Sequence, residues 1–153
     1  MGSLTLYFDR CFGRRFPEEV ERMKPPFAVE SHFKQKFEQD MPDDQWLAIV
    51  GARRWVVLSH DAKFHKESAE LCAVVQHKIG CFYLWGAQMP TWHKIAHLTA
   101  IYPKISKIAN SEKRPYIYRA NQQNRLFLVR HWDGRKEPKR HVGASGAVPA
   151  SGP

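Results

Sequence analysis

Short apolar runs alternate with helical stretches along most of this chain. Six runs have the length and composition of strands, and they cover residues 4–8, 27–30, 55–58, 79–85, 116–118 and 126–129. Helices are predicted in the segment after Gly13 and at 43–53, 67–77 and 90–110. Because a helix precedes each strand from the second to the fifth, the order predicts an α/β fold with a mostly parallel central sheet flanked by helices.

Two features interrupt this regular alternation. Pro103 lies inside the 90–110 helix and is expected to kink or split it, because proline has no backbone N–H to donate. From His131 onward the chain is basic and then rich in Gly, Ala, Ser and Pro, a composition that does not build a core. We therefore predict one domain over residues 1–130 and a disordered tail over 131–153.

Charge and cysteine content narrow the functional class. The formal net charge is +9 and the sequence pI is about 9.7, which favours polyanions such as RNA, or acidic proteins, as partners. The three cysteines have no close pairing, which indicates reduced thiols and a cytoplasmic setting. No secretory signal pattern is present, and no apolar run approaches the roughly 20 residues that span a bilayer, so no membrane association is expected.

Three aspartates lie where predicted elements end or begin. Asp9 ends the first strand, Asp61 follows the third, and Asp43 opens the 43–53 helix. Ligands bind at the carboxyl ends of parallel strands, and carboxylates that converge there repel one another unless a cation joins them. The pattern therefore predicts a Mg²⁺ or Mn²⁺ site. Asp43 also suits a helix N-cap and Asp61 a turn, so both keep a structural alternative.

The ordered set of these motifs resembles the PIN-like domain family, which includes the VapC-type toxin ribonucleases. The set consists of Asp9 after the first strand, the helix start at 42–47 and the strand at 55–61. By element order the likeness extends over about residues 4–130. It implies a PIN-like three-layer sandwich in which Asp9, Asp43 and Asp61 are the catalytic, metal-binding acids, with Asp44 as a second choice beside Asp43.

The resemblance also assigns roles to the residues around the third acid. Ser59 stands where the family has Thr or Ser two positions before that acid, and it is expected to orient Asp9 or Asp61. Many PIN domains carry a fourth acid shortly after the third, whereas this chain has Lys63 and no acid until Glu67. Two alternatives follow: Lys63 contacts substrate phosphate instead of a metal, or Glu67 or Glu70 approaches the site from the next helix.

Two arginines near Asp9 complete the predicted site. Arg10 and Arg14 follow Asp9 closely, and a guanidinium is suited to bidentate contact with phosphate. Either is expected to hold the substrate.

The function that the resemblance implies is a metal-dependent endoribonuclease, the toxin of a type II toxin–antitoxin pair. A cognate antitoxin would cover the acidic site, and a homodimer is a further expectation. Lys63 keeps a second interpretation open, a non-catalytic PIN-like module that binds RNA or protein. A small phosphatase or nucleotide-binding protein is disfavoured because the chain has no Gly-rich phosphate loop.

Four histidines suggest further chemistry. His93 and His97 lie four residues apart, which is also a zinc-ligand spacing, but no third ligand is evident and surface positions are expected. His60 and His65 flank Asp61 and are expected to be solvated loop residues, with contact to metal or phosphate as the alternative.

Overall fold

The computed structural model of the protein describes residues 4–131, which form six strands and four helices. A single 3₁₀ turn at Arg10–Phe12 follows the first strand. In chain order the elements are β1 (Thr5–Phe8), α1 (Arg15–Arg22), β2 (Ala28–Ser31), α2 (Asp43–Ala52), β3 (Val56–Ser59), α3 (Ser68–Gln76), β4 (Gly80–Tyr83), α4 (Thr91–Ser111), β5 (Tyr116–Ala120) and β6 (Leu126–His131).

The six strands form one sheet in the order β2-β1-β3-β4-β5-β6. The strand pairs from β2 to β5 are parallel, and only β6 runs antiparallel to its neighbour β5. This confirms the predicted α/β fold with a mostly parallel sheet. The chain winds outward from β1 in both directions, so the crevice between the carboxyl ends of β1 and β3 is the switch point at which open α/β sheets bind ligands.

Helices cover both faces of the sheet and complete the three layers. Leu6, Phe8 and Leu58 belong to the core beneath α1 and α4, whereas Tyr7 and Val57 belong to the core beneath α2 and α3. Neighbouring strand residues point to opposite faces because the side-chain period of a strand is two. The central strands are buried on both sides, which explains their continuous apolar sequence.

A close approach of two helix ends fixes the position of α2 against α3. A Cβ added at Gly51 would collide with the carbonyl oxygen of His77, so glycine lets the end of α2 approach the end of α3.

Helix α4 continues through Pro103 and is not split, contrary to one of the two expected outcomes. The fully buried Ile101 and Ile105 hold α4 against the sheet on both sides of the proline, which offsets the missing backbone hydrogen bond.

The described residues cover nearly all of the predicted domain but almost none of the predicted tail. Strand β6 extends to His131, at the boundary drawn from the sequence. The predicted disordered tail otherwise lies outside the described residues. Within residues 4–131, no helix is both long and apolar enough to cross a membrane. All three cysteines, Cys11, Cys72 and Cys81, are free.

Candidate active site

Asp9 is held at the end of β1 by backbone and side-chain hydrogen bonds. Its amide donates to the carbonyl of Leu58, which extends the β1–β3 pairing by one residue. Its Oδ1 accepts a 2.6 Å hydrogen bond from the amide of Arg10, where the 3₁₀ turn begins. The residue is only 1% exposed, and burial raises the pKa of its carboxyl despite the nearby charge of Lys63 and the hydrogen bond from Ser59. Asp9 is therefore a desolvated carboxylate that requires a cation nearby.

Ser59 links the ends of β1 and β3. Its hydroxyl lies 3.1 Å from Asp9 Oδ2, to which it donates, and it accepts a hydrogen bond of 3.0 Å from the amide of Asp61. The side chain is fully buried. Ser59 thus contacts both acids that the sequence associated with it, the carboxylate of Asp9 and the backbone of Asp61.

Asp43 reaches the same edge of the sheet from α2. It is the first residue of the helix, Pro42 precedes it at the N-cap position, and no side chain caps the helix end. The N-cap role considered for Asp43 is therefore wrong. Its Oδ1 accepts instead from the indole Nε1 of Trp46 at 2.9 Å, a contact that the i,i+3 spacing on a helix makes possible. Trp46 is fully buried and keeps the carboxylate facing Asp9.

Lys63 lies between these two carboxylates. Its Nζ is 2.9 Å from Asp43 Oδ2 and 4.0 Å from Asp9 Oδ2, and its side chain is 22% exposed. Burial alone would lower the pKa of the ammonium, but the hydrogen bond to Asp43 and the charges of Asp9 and Asp43 outweigh burial and raise that pKa. The two acids therefore converge on one position, and a positive charge from the chain itself occupies it.

Arg10 neutralises Asp43 from the other side. Its Nη2 is 2.6 Å from Asp43 Oδ1, and its Nη1 donates to the carbonyl of Gln39. Burial would raise the pKa of the Asp43 carboxyl, but hydrogen bonds from Lys63 and Trp46 and the charges of Lys63 and Arg10 outweigh it and lower that pKa. Asp9 and Asp43 together with Lys63 and Arg10 form a charge-balanced group of four, called the acid–base cluster below.

Other predicted site residues lie outside the acid–base cluster. Asp61 is exposed, and among residues 4–131 it does not join Asp9 and Asp43 in a group of three side chains that could hold one metal ion. Arg14 pairs with Glu18 along the surface of α1, at 3.1 Å. Glu67 is exposed and occupies the N-cap position of α3.

An open cleft of about 460 Å³ adjoins the acid–base cluster on the side of α2 and α3. Arg10 and Asp43 form one wall, and Asp44 and Glu70 line it as well. The cleft exposes Asp43 to solvent, whereas Asp9 does not line it. It places Asp44 and Glu70 beside the predicted site without direct contact to Asp9.

Cys11 and His60 lie beside Ser59, and sequence reasoning assigned no site role to Cys11. Cys11 Sγ accepts from the amide of His60 at 3.2 Å and lies 3.5 Å from Ser59 Oγ. His60 is not a solvated loop residue: its Nδ1 is 3.3 Å from the carbonyl of Leu84, and its buried Nε2 has no partner among the described residues. Burial lowers the pKa of His60 to about 4. The only sequence signal that Cys11 lies near the site was its position two residues after Asp9.

Of the other three histidines singled out in the sequence, His93 is exposed as expected, and His65 and His97 have structural contacts. His65 Nδ1 lies 3.0 Å from the hydroxyl of Tyr83. His97 is buried, accepts from the amide of Trp85 at 3.1 Å and bonds Asn124 Oδ1 at 2.6 Å, so the expectation of a surface position is wrong for it. Within residues 4–131, no three histidine, cysteine or acidic side chains are grouped as metal ligands.

Comparison with known protein families gives an independent result. A family model described as a PIN-like domain matches residues 4–86, which is more than half of the 153-residue chain and spans β1 to β4. The chain belongs to the PIN-like domain family. The match includes Asp9, Asp43, Ser59 and Lys63. No curated protein and no solved structure matches the chain significantly. PIN-like domains are commonly nucleases, so the fold is of a nuclease type.

The donor groups of this PIN-like site partly fit a divalent cation. Carboxylate and hydroxyl oxygens are the ligands that Mg²⁺ and Mn²⁺ prefer, and Asp9 and Asp43 face one shared position. The ammonium of Lys63 holds that position, so a divalent ion can bind both carboxylates only after this side chain moves. The structure therefore brings together two of the three predicted metal ligands, and Asp61 is not among them.

Proposed function

We propose that this PIN-like protein is a metal-dependent endoribonuclease that acts at the carboxyl ends of β1 and β3. The observation that carries the proposal is the convergence of Asp9 and Asp43 on one cation position, at 4.0 and 2.9 Å from the Lys63 Nζ. Two acids from distant parts of the chain meet there at the switch point of the sheet, where α/β proteins bind ligands. Asp61, at the end of β3, is the third acid of the proposal.

The roles of the side chains follow from their contacts. Asp9 and Asp43 would hold Mg²⁺ or Mn²⁺, which when bound supplies positive charge to the phosphate and lowers the pKa of a water ligand. Ser59 fixes the Asp9 carboxylate, and Trp46 fixes that of Asp43. Arg10 lines the open cleft, and we expect it to contact a substrate phosphate once it leaves Asp43.

Cleavage of a mixed RNA pool with Mn²⁺, Mg²⁺ or EDTA tests this function. We expect metal-dependent cleavage by the wild type and a loss of at least 100-fold in Asp9→Asn and Asp43→Asn, because metal-ion and electrostatic stabilisation each contribute effects of about that size. Asp40→Asn, an exposed acid beside the same cleft, is the matched control and should retain activity. Cleavage that persists in Asp9→Asn would overturn the proposal.

Asp61→Asn tests the third acid separately. If Asp61 joins the metal site during the reaction, the variant loses cleavage although its carboxylate does not contact the acid–base cluster in the structure. Wild-type activity in this variant would restrict the site to Asp9 and Asp43.

A biological role as a toxin of a type II toxin–antitoxin pair is a further part of the proposal. Its support is the resemblance to VapC-type toxins and the net charge of +9, which favours an RNA substrate and an acidic antitoxin. We propose the cytoplasm as its location, and a homodimer as its assembly. Induced expression should arrest growth with the wild type but not with Asp9→Asn, and light scattering would give the oligomeric state.

A second candidate function is RNA or protein binding without cleavage. The observation in its favour is the charge balance of the acid–base cluster, in which Lys63 and Arg10 already neutralise Asp9 and Asp43. Folded wild-type protein that binds single-stranded RNA in fluorescence anisotropy, but cleaves none under any metal condition, would favour this function.

A further inference from the structure

We propose that Lys63 is a tethered competitor of the metal: its ammonium occupies the shared position between Asp9 and Asp43, and a divalent ion binds by displacing it. The inference rests on the proposed metal-dependent function. It assigns to Lys63 a role that precedes any contact with substrate, because its ammonium neutralises the two carboxylates until the metal arrives, while Ser59 and Trp46 hold them in place.

The turn after β3 fixes the point from which Lys63 reaches the site. The amide of Lys63 donates to the carbonyl of Asp61 at 2.8 Å, and its own carbonyl accepts from the amides of Lys66 and Glu67. The next residue, Phe64, is fully buried and packs edge-on against Trp46. Since Trp46 also donates to Asp43, the anchor of the lysine and the anchor of its partner are the same packed group.

The side chain of Lys63 can nevertheless move from the site to solvent. It is 22% exposed, whereas the side chain of Asp9 is fully buried and that of Asp43 is 8% exposed. An ammonium on a flexible four-carbon stem can therefore swing to solvent while the carboxylates stay. A lysine that leaves the site stays tethered beside it, where it can contact the phosphate of an RNA substrate.

The net charge of the acid–base cluster explains why the Lys63 ammonium and a divalent metal ion exclude each other. With Lys63 and Arg10 in place, the acid–base cluster is neutral. A divalent ion added on top would leave an excess of two positive charges in a partly buried group, and it would lie within a few ångströms of the ammonium, because Mg²⁺ binds oxygen at about 2.1 Å. Exchange of Lys63 for the metal raises the charge by only one unit.

Competition of this kind lowers the apparent affinity for the metal. If the ammonium occupies the position nine-tenths of the time, the site is competent one-tenth of the time and the apparent Kd is raised about tenfold. Lys63→Met removes the competitor, keeps most of the volume of the side chain and leaves the carboxylates in place. Mn²⁺ should therefore bind this variant about tenfold more tightly or better.

The test is direct Mn²⁺ binding, measured by calorimetry and by the EPR signal of free Mn²⁺, on full-length wild type, Lys63→Met and Lys66→Met. Lys66 is an exposed lysine in the same turn and serves as the control. Tighter binding in Lys63→Met with unchanged binding in Lys66→Met supports the proposal. Equal or weaker binding in Lys63→Met overturns it but leaves the nuclease proposal standing. Absence of Mn²⁺ binding in every form overturns both.

A second measurement needs no substitution and guards against a variant that fails to fold. Acetylation of lysines by acetic anhydride, followed by mass spectrometry, reports how accessible each amine is in the wild type. Saturating Mg²⁺ should increase the labelling rate of Lys63 several-fold and leave that of Lys66 unchanged. A Lys63 rate that does not respond to a metal shown to bind would overturn the displacement.

Discussion

Ser59→Ala tests the idea that a buried hydroxyl holds the Asp9 carboxylate. The substitution removes one oxygen atom from a fully buried site and leaves a cavity too small to matter. It deletes the 3.1 Å hydrogen bond to Asp9 Oδ2 and the acceptor of the Asp61 amide. Asp61 is exposed, so water can replace the second bond, whereas Asp9 is 1% exposed and has little access to water. The loss therefore falls mainly on Asp9.

The two hydrogen bonds that Ser59→Ala removes determine how far the free energy of unfolding falls. A hydrogen bond to a charged group contributes about 1.5–3 kcal/mol, and a neutral one about 1 kcal/mol. We expect Ser59→Ala to lower the free energy of unfolding by about 2 kcal/mol at neutral pH. Burial raises the pKa of Asp9, and the lost hydrogen bond raises it further in the variant. Below the pKa of Asp9 the carboxyl is neutral in both proteins, so the difference between them should shrink as the pH falls.

Urea unfolding followed by circular dichroism measures the effect across a pH series. Ser31→Ala is the matched control, because Ser31 is also a buried serine at a strand end, but its hydroxyl accepts from a neutral group, the amide of Lys34, at 3.0 Å. We expect about 1 kcal/mol for the control, with no link to the pKa of Asp9. A Ser59→Ala loss no larger than that of Ser31→Ala, or one that grows in acid, would refute the reasoning.

Three further predictions concern packing and protonation. Gly51→Ala should lower the free energy of unfolding by about 1–3 kcal/mol, since its Cβ collides with the His77 carbonyl; thermal unfolding measures this. Trp46→Phe deletes the indole donor to Asp43 and should raise the lowered pKa of that carboxyl, which an NMR titration follows. His60 is half-buried and neutral, with a pKa of about 4 against 6.5 when unfolded, so urea unfolding should show stability falling by about 2 kcal/mol as the pH drops through that window.

Each of these has a control in an exposed residue. Gln45→Ala on the same helix as Gly51 should change stability by less than about 0.5 kcal/mol. Trp92→Phe, at a site 79% exposed, should leave the titration of Asp43 unchanged. His60→Asn should flatten the acid loss of stability, whereas His93→Asn should not; equal slopes in all three proteins would contradict the assignment to His60.

The fold could be predicted from the sequence because local patterns determine it. Apolar runs of three to seven residues bounded by helical segments leave few topologies other than a parallel sheet between helices. Element ends were predicted to within a few residues, and Asp9, Ser59 and Asp43 were correctly placed at strand or helix ends. The continuity of α4 through Pro103 was open because it depends on how Ile101 and Ile105 pack against the sheet, which is a tertiary contact.

The candidate site was predictable only as far as its positions along the chain. The sequence by itself determined which acids end β1 and open α2, since alternation and helix-start signals are local. Tertiary structure decided the rest: Lys63 rather than Asp61 meets Asp9 and Asp43, Arg10 turns toward Asp43, and Nε2 of His60 is buried. These outcomes depend on the path of the turn after β3 and on which charges share a desolvated space. Such electrostatic pairing is set by distances between segments remote in sequence, and no local pattern encodes it.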